Sequence, residues 1–290
     1  MSILVFGCGF TALNGLERFR TRFRMIVGTV RSPEKAERLT EAGVVARLFG
    51  PDTTDPELAA DIAAATHLLV SVPPDAEGDP VLRRFSGAFE RARNLRWIGY
   101  LSTIGVYGDH GGAWIDERTP PGPTSARSRQ RLQAEIQWLD LGRRSGVPVQ
   151  VFRLAGIYGP GRNALRNLKD GTAKRIVKPG QVFNRIHAAD VATVLLASMD
   201  RPRAGAVYNV TDDEPAPPQD VVTYAAALLG VAAPPETPFA EANLSPMAAS
   251  FYADNKRVSN RIIKQDLGVS LAFPTYREGF QALCAAGEGR

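Results

Sequence analysis

Cysteine and long apolar runs are both scarce in this chain, and each scarcity removes a class of protein. Two cysteines in 290 residues, Cys8 and Cys284, make no disulfide framework, and their spacing is not that of a metal site, so none is expected. A reducing cytoplasm is the setting that such usage implies. No apolar run approaches the roughly 20 residues that span a bilayer. The apolar start ILVF (3–6) is too short for a signal peptide and has no basic residue before it. Internal repeats and low-complexity stretches are absent as well. What is present is an ordinary globular composition, 44% hydrophobic and 22% charged. The length suits one large α/β domain, or a domain with a smaller companion. Thirty-five basic against thirty acidic residues give a net charge of +5, which favours anionic partners. A phosphorylated small molecule satisfies that charge as well as nucleic acid does.

Short apolar runs alternate with helical patterns along the first half. Strands are expected at 3–6, 24–30, 44–49, within THLLVSV, and within LRWIGYLS. Helices are expected between them: from Phe10 to about Phe19, then from Ser32 as N-cap with Pro33 next and Gly43 as the stop. Further helices are expected after Asp55 as cap, and at 81–93. Later come a helix at 127–144, a strand in VPVQVFRL, a helix in HAADVATVLLASM and a strand in GAVYNV. The strands do not alternate apolar with polar, as expected of a parallel sheet covered on both faces. The implied fold class is α/β, a doubly wound parallel Rossmann sheet. A smaller C-terminal part beside the sheet is expected where the chain turns Pro- and Ala-rich after Asp212. The expected division is a nucleotide domain at 1–160, completed by about 181–212, with 161–180 and 213–290 in the smaller part.

The first strand runs into GCGFTA, that is Gly7-x-Gly9-x-x-Ala12. The first glycine permits a tight turn, the second lets a pyrophosphate approach the backbone, and the third position needs a small residue. The following helix N-terminus offers unpaired N–H groups to an anion. Gly7, Gly9, Phe10, Thr11 and Ala12 are therefore expected at a dinucleotide, with Ser71 after the fourth strand. A site for NAD usually places an acid at the end of the second strand to accept from the ribose 2′-hydroxyl. Here the sequence is GTVRSPEK, with Thr29, Arg31, Ser32 and Lys35 and no acid at the strand end. An arginine grips a 2′-phosphate where a carboxylate repels it, so NADP is favoured over NAD.

Several later stretches resemble one family. LSTIGVYGD (101–109), RLAGIYGPGRN (153–163), RIHAADVA (185–192), YNVTDDEP and FPTYREGF are similar, in order, to motifs of the extended short-chain dehydrogenases/reductases. That is the NAD(P)-dependent epimerase/dehydratase-like group, with an atypical branch. The resemblance implies an NAD(P)-binding sheet, a small substrate domain, and hydride transfer at a carbinol carbon. It also implies dimers formed through the helix that carries Arg127 and Glu135. In such proteins a Tyr-x-x-x-Lys pair supplies the acid/base, because the ammonium lowers the phenol's pKa. A Ser or Thr at the preceding strand end orients the substrate oxygen, and Thr103 stands there.

Aligned on Glu135, the helix SARSRQRLQAE places Arg131 where the lysine belongs and Arg127 where the tyrosine belongs. Arginine stays protonated and shuttles no proton. Arg131 can still donate to the nicotinamide ribose hydroxyls. Tyr107, Tyr158 and His187 are the other candidates for acid/base, each with a packing role as its alternative. Arg127, Tyr158, Asn163 and Arg185 are the expected substrate contacts, and the basic stretch 162–180 suits a phosphorylated or carboxylated ligand. RFRTRFR (18–24) interleaves Arg with Phe, but one short segment is not a nucleic-acid stripe, and its phenylalanines are expected in the core. Two functions follow: an oxidoreductase or epimerase acting on an anionic small molecule, or a non-catalytic NADP-binding sensor or interaction module.

Overall fold

The computed structural model describes residues 1–289. The chain divides into two compact units. Met1–Thr103, Ala126–Arg153 and Ala192–Tyr208 form the first; Ile104–Ser125, Leu154–Val191 and the residues from Asn209 onward form the second. The second unit thus takes the stretches 104–125 and 154–160 as well as the C-terminal part. Among the described residues no helix is long and apolar enough to cross a membrane.

The first unit is built on a parallel sheet of seven strands: β1 (Ser2–Phe6), β2 (Met25–Val30), β3 (Val45–Leu48), β4 (His67–Val70), β5 (Trp97–Thr103), β6 (Val149–Leu154) and β7 (Val207–Val210). Their order is β7-β6-β5-β4-β1-β2-β3, so the winding reverses between β1 and β4. Leu4 pairs in register with Val27 on one side and Leu68 on the other. The helices α1 (Phe10–Arg22), α2 (Pro33–Glu41), α3 (Leu58–Ala64), α4 (Pro80–Arg91), α5 (Ala126–Ser145) and α6 (Ala188–Asp200) complete the alternation. This is the doubly wound α/β fold that the alternating pattern implies. Ligands of such sheets bind outside the carboxyl ends of the strands, at the reversal point.

The unalternating strands are apolar because both faces are covered. Phe6 packs on Phe49 (5.2 Å between ring centroids) and Phe85 (5.7 Å), and Phe89 packs on Trp138 (5.4 Å). Each fully buried ring of this kind contributes about 1.5–3 kcal/mol over leaving it exposed. Phe19 and Phe23 of the RFRTRFR segment are buried in this unit. Arg20 and Arg22 pair with Glu17 and Asp200. Two local details depart from the sequence reading. Asp55 accepts from the Glu57 N–H in a turn, which delays α3 to Leu58. Ser32 sits at the N-cap of α2 but makes no capping hydrogen bond.

The second unit joins distant segments through short parallel pairs. Gly156–Tyr158 pairs with Arg185–His187, Arg175–Val177 with Glu236–Pro238, and Trp114–Ile115 with Arg257–Val258. Its core gathers Tyr158, Leu165, Val221, Tyr276, Phe280 and Leu283. The helix Tyr276–Ala285 starts with a full capping box between Thr275 and Glu278.

Candidate functional site

In the first unit, the turn after β1 forms an open cradle. Gly7 has φ +87°, a conformation that L side chains rarely adopt, and a Cβ there would stand 3.0 Å from the Val72 backbone nitrogen. The Gly7 N–H donates to Thr29 Oγ1 (2.8 Å) and the Cys8 N–H to the Thr29 carbonyl (2.8 Å). Thr29 is buried, so it acts on the glycine loop by holding it from behind. Burial pushes the Cys8 thiol up to about 11, which leaves it inert at neutral pH. Gly9 is exposed, and a Cβ there would meet nothing within 4 Å. Gly9 is also the N-cap of α1, and no side chain caps that helix. Its first N–H groups and its positive dipole end therefore face the open side of the loop. Ala12, in the third glycine slot, is buried as that position requires. Phe10, Thr11 and Ser71 are partly buried around the loop.

At the end of β2, Arg31 and Lys35 are exposed and Ser32 is partly buried with no capping duty. Neither Arg31 nor Lys35 makes an ion pair among the described residues. Two cations without carboxylate partners thus stand one strand away from the glycine cradle.

Helix α5 carries Arg127, which is exposed, and Arg131, which is partly buried. Arg131 Nη1 donates to the Leu101 carbonyl (3.0 Å) and the Tyr100 hydroxyl (3.2 Å), and its guanidinium lies 5.7 Å from the Tyr100 ring centroid. Burial raises the Tyr100 phenol well above its ordinary range. One turn on, Glu135 is buried and accepts from Arg153 Nη2 (2.7 Å), from Arg153 Nε (3.2 Å to each oxygen) and from Ser102 Oγ. Glu135 and Arg153 form a buried ion pair that ties α5 to β5 and β6. Sequence reasoning found Glu135 by its motif position but missed Arg153, eighteen residues on in a strand. Thr103 ends β5, partly buried, as expected of a residue at the carboxyl edge.

The second unit holds the remaining candidates. Tyr107 is buried, and its hydroxyl donates to Asn209 Oδ1 (2.8 Å). Tyr158 is buried too; its hydroxyl donates to the Thr275 carbonyl (3.3 Å), and burial raises its pKa strongly. His187 is buried, edge-on to Tyr158 (5.1 Å) and close to Phe273 (4.1 Å). Asn163 caps the helix Ala164–Lys169 through Oδ1 and donates through Nδ2 to the Gly159 carbonyl and Glu288. These four side chains pack and hydrogen-bond within the second unit. Arg185 is partly buried, donates through Nη1 to the Phe183 (2.9 Å) and Ala216 (3.1 Å) carbonyls, and lies 6.0 Å from the Tyr276 ring centroid.

Asp212 of this unit was not anticipated. It is 1% exposed, and its Oδ2 has no hydrogen-bond partner. Burial pushes its carboxyl up to about 8, against the opposing pull of Arg185. The folded chain therefore keeps this proton up to about pH 8, whereas an unfolded aspartate loses it near its ordinary value of 3.8. Across that window the unfolded state binds fewer protons, so this group's contribution to stability falls as pH rises. Asp212→Asn is expected to remove the decline and to raise stability at pH 8 by about 1–3 kcal/mol. Urea unfolding at pH 5 and pH 8 measures it, and an unchanged pH slope in the variant would assign the decline to another group.

Comparison with known proteins agrees with this geometry. Residues 88–211 match the NAD dependent epimerase/dehydratase family. Protein YeeZ of Escherichia coli (strain K12) is 30% identical over 216 residues, covering 68% of this chain and 75% of that protein. The 3-diazoavenalumate denitrifying reductase of a Streptomyces species is 27% identical over 275 residues, covering 86% and 87%. A solved structure of a functionally unknown conserved protein from Silicibacter pomeroyi DSS is 49% identical, with a TM-score of 0.89 over 99% of both chains. With a doubly wound sheet, a glycine cradle after β1 and these relatives, the chain belongs to the NAD-dependent epimerase/dehydratase family within the extended short-chain dehydrogenase/reductase superfamily.

Proposed function

We propose that this protein is an NADP-dependent oxidoreductase or epimerase-like enzyme acting on an anionic small molecule. The observation that carries the cofactor choice is the pair Arg31 and Lys35, exposed and without carboxylate partners beside the cradle. The open space over Gly9 and the uncapped start of α1 fit a pyrophosphate, and an unpaired guanidinium after β2 fits a 2′-phosphate. Phe10, Thr11 and Ser71 line the same loop, while Thr29 supports it. When bound, the nicotinamide supplies a hydride donor or acceptor. The denitrifying reductase among the relatives supports reduction as the reaction type. Two buried free cysteines suit a cytoplasmic setting, and Ile136, 49% exposed on α5, suits a dimer contact on that helix.

Arg31→Ala is expected to weaken NADPH at least tenfold while changing NADH affinity less than threefold, in a titration calorimeter. Equal losses for both nucleotides would overturn the 2′-phosphate role.

A second reading is favoured by one observation: α5 carries arginine in both acid/base slots, and the phenols of Tyr107 and Tyr158 are buried and hydrogen-bonded. On that reading the protein binds NADP as a sensor or interaction module. Binding and oxidation of NADPH, followed together across carbonyl and sugar-nucleotide substrates, separate the two. Tight binding with no oxidation throughout would decide for the sensor.

A further inference from the structure

Arg131 is a partly buried cation that makes no ion pair among the described residues. Asp79, whose carboxylate feels the Arg131 charge, and Glu135, one turn further along α5, are already engaged. Asp79 Oδ1 accepts from the Val81 (2.9 Å) and Leu82 (3.0 Å) N–H groups, and its Oδ2 accepts from Trp138 Nε1 (3.0 Å). Both oxygens of Glu135 are taken by Arg153, and Ser102 adds a third donor. Arg131 itself spends only Nη1, on the Leu101 carbonyl and the Tyr100 hydroxyl. That anchor holds one end of the guanidinium at the hydroxyl end of Tyr100, 5.7 Å from the ring centroid. The Nε and Nη2 hydrogens, which together form one edge of the fork, have no acceptor among the described residues.

The chemistry of that edge is specific. Two parallel N–H bonds from a planar guanidinium match the two oxygens of a carboxylate, with short, charge-assisted geometry. A ribose hydroxyl pair would be met as well by a lysine ammonium, a point charge on a flexible stem. A partly buried, pre-anchored guanidinium is more weakly hydrated than an ammonium, which suits pairing with a desolvated anion. We infer that the Nε–Nη2 edge of Arg131 binds a carboxylate of the substrate, so that the ligand of this site is a carboxylic acid. This deepens the proposed function and rests on it only for calling the ligand a substrate. The chloride of a buffer, or the cofactor's own hydroxyls, are the competing occupants.

The test reads the guanidinium directly. The Arg131 Nε–H resonance is assigned by its loss in Arg131→Lys, and the wild-type protein is titrated with sodium benzoate, benzamide and sodium chloride, each with and without saturating NADP+. The expected result is a saturable shift of that resonance by benzoate alone, retained with NADP+ bound. Calorimetry is then expected to show benzoate binding at least tenfold weaker in Arg131→Lys, with NADP+ affinity changed less than threefold. Equal responses to benzoate and benzamide, or to benzoate and chloride, would overturn the carboxylate assignment. So would a shift produced by NADP+ that abolishes the benzoate response, which would give the edge to the cofactor. Failure of NADP+ to bind at all, with the benzoate shift intact, would sink the proposed function and leave the carboxylate fork standing.

Discussion

Arg153→Met is expected to destabilise the first unit by about 3–5 kcal/mol, because it strands the Glu135 carboxylate in a dry interior. Glu135 is 2% exposed and Arg153 5% exposed, so neither charge can turn to water when its partner is removed. The Ser102 hydroxyl donates to Glu135 but cannot neutralise it. The reciprocal change, Glu135→Leu, strands the guanidinium and is expected to cost as much. The double variant is expected to recover most of the loss, since two apolar side chains of similar volume need no desolvation of charge. Guanidinium chloride unfolding of the four proteins measures the cycle. Additive losses in the double variant would mean that the two residues act through separate contacts and that the ion pair is incidental.

Most of the fold was legible because it rests on local patterns. Buried strands read as unbroken apolar runs, and Pro33 and Gly43 bracketed α2 through backbone chemistry that depends on immediate neighbours. The glycine cradle was legible for the same reason: a turn, a close approach and a helix start lie within six residues. What stayed hidden depends on partners far along the chain. Asn163 reads as a substrate contact, while the Glu288 carboxylate on its amide lies 125 residues later in the chain. Tyr107 reads as an acid/base candidate, while the hydrogen bond its hydroxyl donates to Asn209, 102 residues on, is visible only in the fold. Thr29 reads as a ligand contact, yet its hydroxyl is turned inward to Gly7, across 22 residues. A polar residue type states what a side chain can bond, and only the tertiary fold decides which partner takes it. Arg131 is the converse case. Its position in the helix was legible, but the free edge of its fork follows from where Leu101, Tyr100, Asp79 and Glu135 spend their own bonds.

Gly9→Val is expected to abolish dinucleotide binding while leaving the fold intact, and the two glycines of the loop separate these effects. Gly7 is required by the protein itself. Its positive φ and its 3.0 Å approach to Val72 mean that any side chain strains the turn. Gly9 has φ −98°, which every L residue adopts, and its missing Cβ leaves empty space rather than a contact. Nothing in the folded chain needs glycine there. On the proposed cofactor placement the need comes from the ligand, since a pyrophosphate must touch the backbone where a side chain would stand. The isopropyl group added at Gly9 therefore excludes the ligand sterically, at a stability cost of about 1 kcal/mol from the poorer N-cap. NADPH and NADH affinities are both expected to fall at least a hundredfold, because the pyrophosphate is common to them, in contrast to the selective loss in Arg31→Ala. Calorimetry on the variant, with its thermal midpoint as the control, reads both quantities. Retained NADPH affinity in a stably folded Gly9→Val would move the pyrophosphate off this loop and remove the ground for placing the cofactor at the β1–α1 turn.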